Sequence, residues 1–298
     1  MKSLTQPLIG PRRRLSHTLI QAGLAALWLL VTTNKSTGAR SKRRQSTAVC
    51  GAGMFALAIS SVLTLQTASA SEPSLDVKLS IGGSWQQRND VQIPNNETAT
   101  RFSLDEAVDT GALPLVRLDA KWAINDRHGV RVLLAPLEYT ESADFDEVVR
   151  FAGESFDTGE RLDATYRFNS WRVGYFYTLK NTATTLFRIG GTLKIRDAEI
   201  RLSQGTVTSF DDDVGLVPLL YLAGEYRLTD RWTLGADLDG LAGGPGRAID
   251  AGVALDYKLS TDWHIGVEAR LLDGGADVDD VFNFATFTSA ALSLRARF

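Results

Sequence analysis

The sequence predicts an all-β chain: a closed antiparallel transmembrane β-barrel of ten strands, with eight strands as the alternative count. Three observations carry this. Apolar and polar residues alternate in ten separate stretches, the period of a strand whose two faces meet different surroundings. Short polar turns and longer polar segments take turns between those stretches, so consecutive strands run antiparallel and an even number returns both ends to one side. The chain stops on an aromatic residue inside its tenth stretch, "ALSLRARF", where Ala290, Leu292, Leu294, Ala296 and Phe298 share one face.

The dry face of the first strand holds Leu75, Val77, Leu79, Ile81 and Trp85, and that of the second Val116, Leu118, Ala120, Trp122 and Ile124. Val130, Val132 and Leu134 open the third, which Pro136 bends or bulges because proline cannot donate to a ladder. Trp171, Val173, Tyr175, Tyr177 and Leu179 mark the fourth strand, Phe187, Ile189, Leu193 and Ile195 the fifth. The sixth has Leu216, Leu220, Leu222, Tyr226 and Leu228, the seventh Trp232, Leu234, Ala236 and Leu238. Ile249, Ala251, Val253, Leu255 and Tyr257 form the eighth, and Trp263, Ile265, Val267, Ala269 and Leu271 the ninth. Short turns fall at 125–127, 180–184, 229–231 and 260–262. The other connections read as long loops, including 89–113, 141–163, 203–213 and 272–283.

Upstream of the strands, Lys42, Arg43 and Arg44 precede an apolar stretch at 48–65, and Ala68-Ser69-Ala70 gives the small-residue cleavage pattern of a secretory signal. Residues 1–70 therefore read as a leader and 71–298 as the barrel domain. Arg12, Arg13 and Arg14 with the apolar 19–31 repeat the device on a shorter scale, as an extended leader or an early start codon would. A retained anchor is the alternative, although a membrane helix takes roughly 20 apolar residues. The single cysteine, Cys50, falls in the leader, which leaves the barrel domain neither disulfides nor thiol chemistry. All the acid lies beyond residue 70, so 71–298 carry 23 basic and 35 acidic groups, a net charge of −12 against −3 for the whole chain. Such a surface excludes nucleic acid, whose phosphates demand basic groups.

"YRLTDRW" and "YKLSTDW" repeat one design: a dry-face aromatic, a polar turn, then a dry-face tryptophan. Trp122, Tyr177, Phe187, Tyr226, Trp232, Tyr257, Trp263 and Phe298 all take the dry parity at the short-turn rim, the pattern of an interfacial aromatic girdle. With the leader and the terminal Phe strand, the chain resembles the small Gram-negative outer-membrane β-barrel proteins. That resemblance implies an outer-membrane location among lipid and lipopolysaccharide, a porin-like monomer, and recognition of the strand ending at Phe298 by the barrel-assembly machinery. Closure is then compulsory, because no unpaired backbone edge survives in hydrocarbon.

The wet parity faces the lumen, since a charge at the bilayer midplane costs about 2–4 kcal/mol. The network expected there comprises Arg117, Lys121, Arg172, Arg188, Lys194, Glu225, Asp237, Asp239, Asp250, Glu268 and Arg270. Eight strands are just filled by side chains and a wide pore takes about 16, so ten leave a narrow lumen. An interlocked salt-bridge plug is the simpler expectation; a narrow passage for water or small ions is the alternative.

Enzymes exist on such barrels. The ten-stranded outer-membrane proteases use paired aspartates with an Asp-His pair at the extracellular rim, and Asp237 with Asp239 offers an acidic pair. No histidine joins it, because His17 lies in the leader, His128 in a short turn, and His264 at the opposite rim. Barrel lipases and deacylases need His and Ser at one depth, which neither His128 nor His264 supplies. The four polar segments named above carry net charges of −4, −6, −3 and −4, and "DGGADVDD" and "FDDDVG" are their candidate sites for Ca²⁺ or Mg²⁺. No cofactor is expected. The reading is an envelope-structural or surface-binding barrel without catalysis; a narrow channel is the first alternative and an outer-leaflet barrel enzyme the second.

Overall fold

Each alternating stretch is a strand in the computed structural model, which describes residues 74–298; the leader region lies outside the described residues. The elements are β1 (Ser74–Gln92), β2 (Phe102–Ser103), α1 (Leu104–Ala107), β3 (Leu113–Ala123), β4 (His128–Ala135) and β5 (Glu138–Ala143). They continue as β6 (Val149–Phe151), β7 (Glu154–Phe156), β8 (Leu162–Asn181), β9 (Thr185–Gln204) and β10 (Val207–Arg227). The last are β11 (Trp232–Gly243), β12 (Gly246–Lys258), β13 (Trp263–Asp277) and β14 (Phe282–Arg297). β4 and β5 are one barrel strand interrupted at Pro136 and Leu137, and both pair with β8. Asn169 repairs the interruption by accepting the Leu137 amide through Oδ1 at 3.1 Å.

Every neighbour is antiparallel, and β14 closes the circle on β1 from Asp76↔Arg297 to Gln92↔Phe282. The terminal residue does not fray. Phe298 exchanges two backbone hydrogen bonds with Leu75, at 2.8 and 2.9 Å, which explains why the alternation runs to the last residue.

Three short turns share one mechanism. The Trp232 amide donates to Thr229 Oγ1 (3.0 Å), the Trp263 amide to Ser260 Oγ (3.2 Å) and the His128 amide to Asn125 Oδ1 (2.9 Å). A short polar side chain caps its own turn in this way and leaves the next residue free to begin a strand.

No helix among the described residues is long and apolar enough to cross a membrane; the apolar outer surface belongs to the strands. Their outward parity is an apolar band: Ile81, Val116, Val173, Leu220, Val253, Val267 and Leu292 are all exposed, Leu292 at 71%. A water-soluble protein leaves no such continuous patch uncovered, whereas lipid covers it. Trp122, Trp232, Trp263, Tyr226 and Phe187 stand exposed at its short-turn edge.

At the other edge the polarity of each strand turns inside out. On β8, Trp171, Val173 and Tyr175 face outward with Arg172 inward; nearer the start of the strand, Arg167, Thr165 and Asp163 face outward while Tyr166, Ala164 and Leu162 are buried inside. The outward residues there form a polar collar, in which Arg167 meets Asp197 at 3.2 Å and Glu199 at 3.0 Å. This corrects three of the expected loops. Segment 203–213 is strand except for the turn at 205–206, segment 272–283 is strand except for 278–281, and β11 meets β12 through Gly244 and Pro245 alone. Only 93–112 and 144–161 are long connections, and they contain β2, α1 and the β6–β7 hairpin.

Val253 lies in the exposed band at mid-strand on β12. Val253→Arg is expected to destabilise the barrel in a bilayer by about 2–4 kcal/mol, measured by urea titration in lipid vesicles. Ala254→Ser, on the inward parity, is expected to cost less.

Candidate functional site

Alternation sends every second residue of each strand inward, and in the membrane half of this barrel many of those residues are charged. They cannot reach bulk water, so each needs a partner. The partners lie across the lumen. Asp239, fully buried on β11, accepts from Arg131 of β4 (2.7 Å), Arg172 of β8 (2.8 Å) and Thr192 of β9 (2.8 Å). Asp250 on β12 binds Arg117 of β3 (2.9 Å), Arg172 (2.7 Å) and Arg270 of β13 (2.7 Å). Arg270 also holds Asp237 at 2.7 Å, while Asp119 holds Arg131 at 3.0 Å and Lys121 at 3.1 Å. A second cluster nearer the short turns joins Arg295 to Asp76 (2.5 Å), Glu225 (2.6 Å) and Asp256 (3.3 Å). Lys78 and Glu268 form a further pair.

A glycine makes room for this packing. A methyl group added to Gly252 would lie 2.2 Å from a guanidinium nitrogen of Arg270, so any other residue there obliges the guanidinium to shift.

Nine of the eleven residues expected in the network are thus in ion pairs, and two are not. Arg188 lies over the Phe176 ring at 4.6 Å and Lys194 over Phe168 at 4.2 Å, and neither forms an ion pair among the described residues. Parity assigns a face but not a partner on the opposite wall. Asp237 and Asp239 do not form an acid pair of the protease kind, because arginines engage both. His128 Nδ1 lies 2.5 Å from Tyr175 Oη at the short-turn rim, and His264 is buried at the same end.

Above the charges lies a feature that alternation did not announce. Val91, Leu113, Tyr139, Leu162, Tyr166, Ile200, Leu202 and Phe287 turn inward from the strands and pack against Leu104, Val108, Val149, Phe151 and Phe156 of the two long connections. Tyr166 of β8 stacks on Phe287 of β14 at 5.9 Å, a contact between strands that are not sheet neighbours and therefore one made through the lumen. Burial pushes the Tyr139 hydroxyl up to about 12 and raises Tyr166 too, so this stopper carries no charge at neutral pH. Both connections are tied down: Asp144 N donates to Ala107 O (2.9 Å), Thr100 N to Arg150 O (2.9 Å), and Ser209 Oγ to Ala152 O (2.9 Å).

The acidic runs are dispersed by the strands that contain them. Asp211 and Asp213 point inward and Asp212 outward, with Asp213 on Arg196. Asp273 binds Arg247 and Thr286, and Asp277 accepts from Asn95 Nδ2 at 2.8 Å. Among the described residues, no three His, Cys, Asp or Glu side chains are grouped to hold a metal ion.

No family model matches the chain, and no curated protein matches it. Solved structures do. The outer membrane protease OmpT of Escherichia coli is similar at a TM-score of 0.51 and 11% identity, covering 78% of this chain and 99% of that one. Ail, the attachment invasion locus protein of Yersinia pestis, gives a TM-score of 0.34 at 10% identity, covering 76% of this chain and 100% of that one. An outer membrane channel of Pseudomonas putida F1 gives 0.36 at 10% identity, covering 78% and 100%. At these identities the likeness is one of fold, and it rests on the first of the three. The chain has the fold of a bacterial outer-membrane β-barrel.

Asp239→Asn removes the charge that Arg131 and Arg172 share. A loss of about 3–5 kcal/mol is expected, the cost of breaking a buried pair by deleting one partner, read from chemical unfolding in detergent. Asp211, in the extramembrane part of β10, behaves oppositely. Burial and then Asp213, Asp212 and Asp280 raise its carboxyl above the ordinary 3.8. A raised acid costs stability once ionised; the cost is complete above the folded-state value and gone below the unfolded one. Asp211→Asn should therefore stabilise the barrel at neutral pH and leave it unchanged near pH 3, as a pair of unfolding curves would show.

Proposed function

We propose that this chain is a non-conducting barrel of the outer membrane with an envelope-structural or surface-binding role and no catalytic activity. The observation that carries this reading is the double obstruction of the lumen. Arginine–carboxylate pairs cross it in the membrane half, and an uncharged aromatic and aliphatic stopper fills it beyond. A hydrated ion would have to break pairs at the first level and enter hydrocarbon-like packing at the second. Catalysis finds no support in the acidic pair, since Asp237 and Asp239 are already neutralised by arginines and stand apart from both histidines of the barrel domain.

Surface binding would fall to the outward side of 93–112 and 144–161, whose inward residues Leu104, Val108, Val149, Phe151 and Phe156 belong to the stopper. The reading is tested by incorporating the unmodified protein into planar bilayers. No steady single-channel current is expected. Steady conductance would overturn the proposal in favour of the narrow channel.

A further inference from the structure

Toward the long-connection rim, β10 has a neighbour on one side only. The Arg227 amide donates to Thr184 O on the β9 side (2.8 Å) and the Leu228 amide to Trp232 O on the β11 side (2.9 Å). Odd-numbered amides of this strand therefore point at β9 and even-numbered ones away from it. The β9–β10 register runs without a shift from Tyr226↔Thr185 to Val207↔Gln204, so the same alternation holds to the tip. β11, however, pairs with β10 only from Arg227↔Thr233 to Leu220↔Gly240, and its last residues pair with β12 alone. The even amides of Thr208, Phe210, Asp212, Val214 and Leu216 thus face a lane that no strand fills, and all five residues are exposed. Pro218, which has no amide hydrogen, sits where the ladder to β11 gives out.

The corresponding edge of β1, above its last pair with β3 at Ser84↔Leu113, is closed. There β2 pairs with Asp90 and Val91, and Asp105 Oδ1 accepts from the Asn89 amide. On β10, among the described residues, neither a side chain nor a turn accepts from an even amide of 208–216. A row of unpaired donors and acceptors is a template for a further strand.

Charge decides which strand. Asp211, Asp212 and Asp213 lie along this edge; Arg196 holds Asp213, while Asp211 and Asp212 have no ion pair among the described residues. Beyond burial, it is Asp213, Asp212 and Asp280 that raise the Asp211 carboxyl, so acid converges on the lane from two elements. A second copy would set two such runs against each other, and like charges directly opposite are destabilising. The same acid that guards the edge against its own kind favours a basic segment. We infer that the free edge of β10 receives an extended segment of another protein, added antiparallel, with basic residues opposite Asp211, Asp212 and Asp213 and apolar ones opposite Phe210 and Val214. The inference rests on the surface-binding reading, and its tests do not depend on conductance.

In the unmodified barrel in lipid nanodiscs, hydrogen exchange should be fast at the amides of Thr208, Phe210, Asp212 and Val214 and slow at Ser209, Asp211 and Asp213. Uniform protection would mean a covered edge and overturns the inference. The probe is the peptide acetyl-Thr-Val-Lys-Arg-Lys-Val-Thr-amide, which should bind saturably and slow exchange at the even amides. Methylating its alternate backbone nitrogens gives two isomers of equal charge. The isomer whose methyl groups face β10 should bind at least tenfold more weakly, and the other should bind as before. Equal binding by both would show attraction by charge alone, and overturns the inference. Val214→Pro removes an edge amide without touching the β9 ladder and should abolish peptide binding; if that variant does not fold, the methylated pair decides. Failure of the peptide to bind, or barrel dimers that Val214→Pro disperses, overturns the inference, the latter in favour of a second copy.

Discussion

A backbone amide or carbonyl that meets hydrocarbon without a partner costs several kcal/mol, and no side-chain arrangement can offset a whole edge of them. The β1–β14 ladder, completed by the exchange between Leu75 and Phe298, removes that edge, and the remaining architecture follows from it. Closure with ten strands fixes a narrow interior. The narrow interior brings the inward residues of opposite walls within reach of one another. Because the outward parity is committed to lipid, the inward one is where charge can be tolerated.

Charge inside a closed lumen is a poor source of stability in itself. Desolvating an arginine and a carboxylate costs several kcal/mol per ion, and their attraction recovers this only with good geometry and full hydrogen bonding. The observed pattern meets those terms through sharing: Asp239 serves two arginines and a threonine, and Asp250 three arginines. Loss of one member would strand several others, because the shared carboxylates couple strands on opposite walls. The stopper above it works by the opposite principle, burying uncharged aromatic surface.

The membrane half of the fold was legible in the sequence because its two faces meet the most different surroundings available, lipid and buried charge. Val253 and Asp250 could be assigned to opposite faces on parity alone. Beyond the membrane the signal failed for a physical reason. Along β8 the apolar set moves from odd positions (Trp171, Val173) to even ones (Tyr166, Ala164) with the register unbroken, while on β1 the bulge at Gln86/Arg88 changes the parity itself. A phase slip of one residue reads as the end of a strand although the ladder continues. Phe287 and Leu202 were hidden by the same slip. Which arginine meets which aspartate was also not legible, since a partner four strands away leaves no trace in local spacing, and Arg188 and Lys194 show the consequence.

The continuation of the strands past the slip also sets how the protein meets the outside. On β9 the apolar outward run ends at Ile195, and Asp197–Gln204 continue beyond it. Eight residues at about 3.3 Å each extend about 26 Å along the tilted strand, past the end of the lipid-facing band. What is displayed at that height is a platform stitched by backbone hydrogen bonds on a continuous sheet. A ligand landing there would meet a preorganised surface, and little of its binding free energy would be spent on ordering loops.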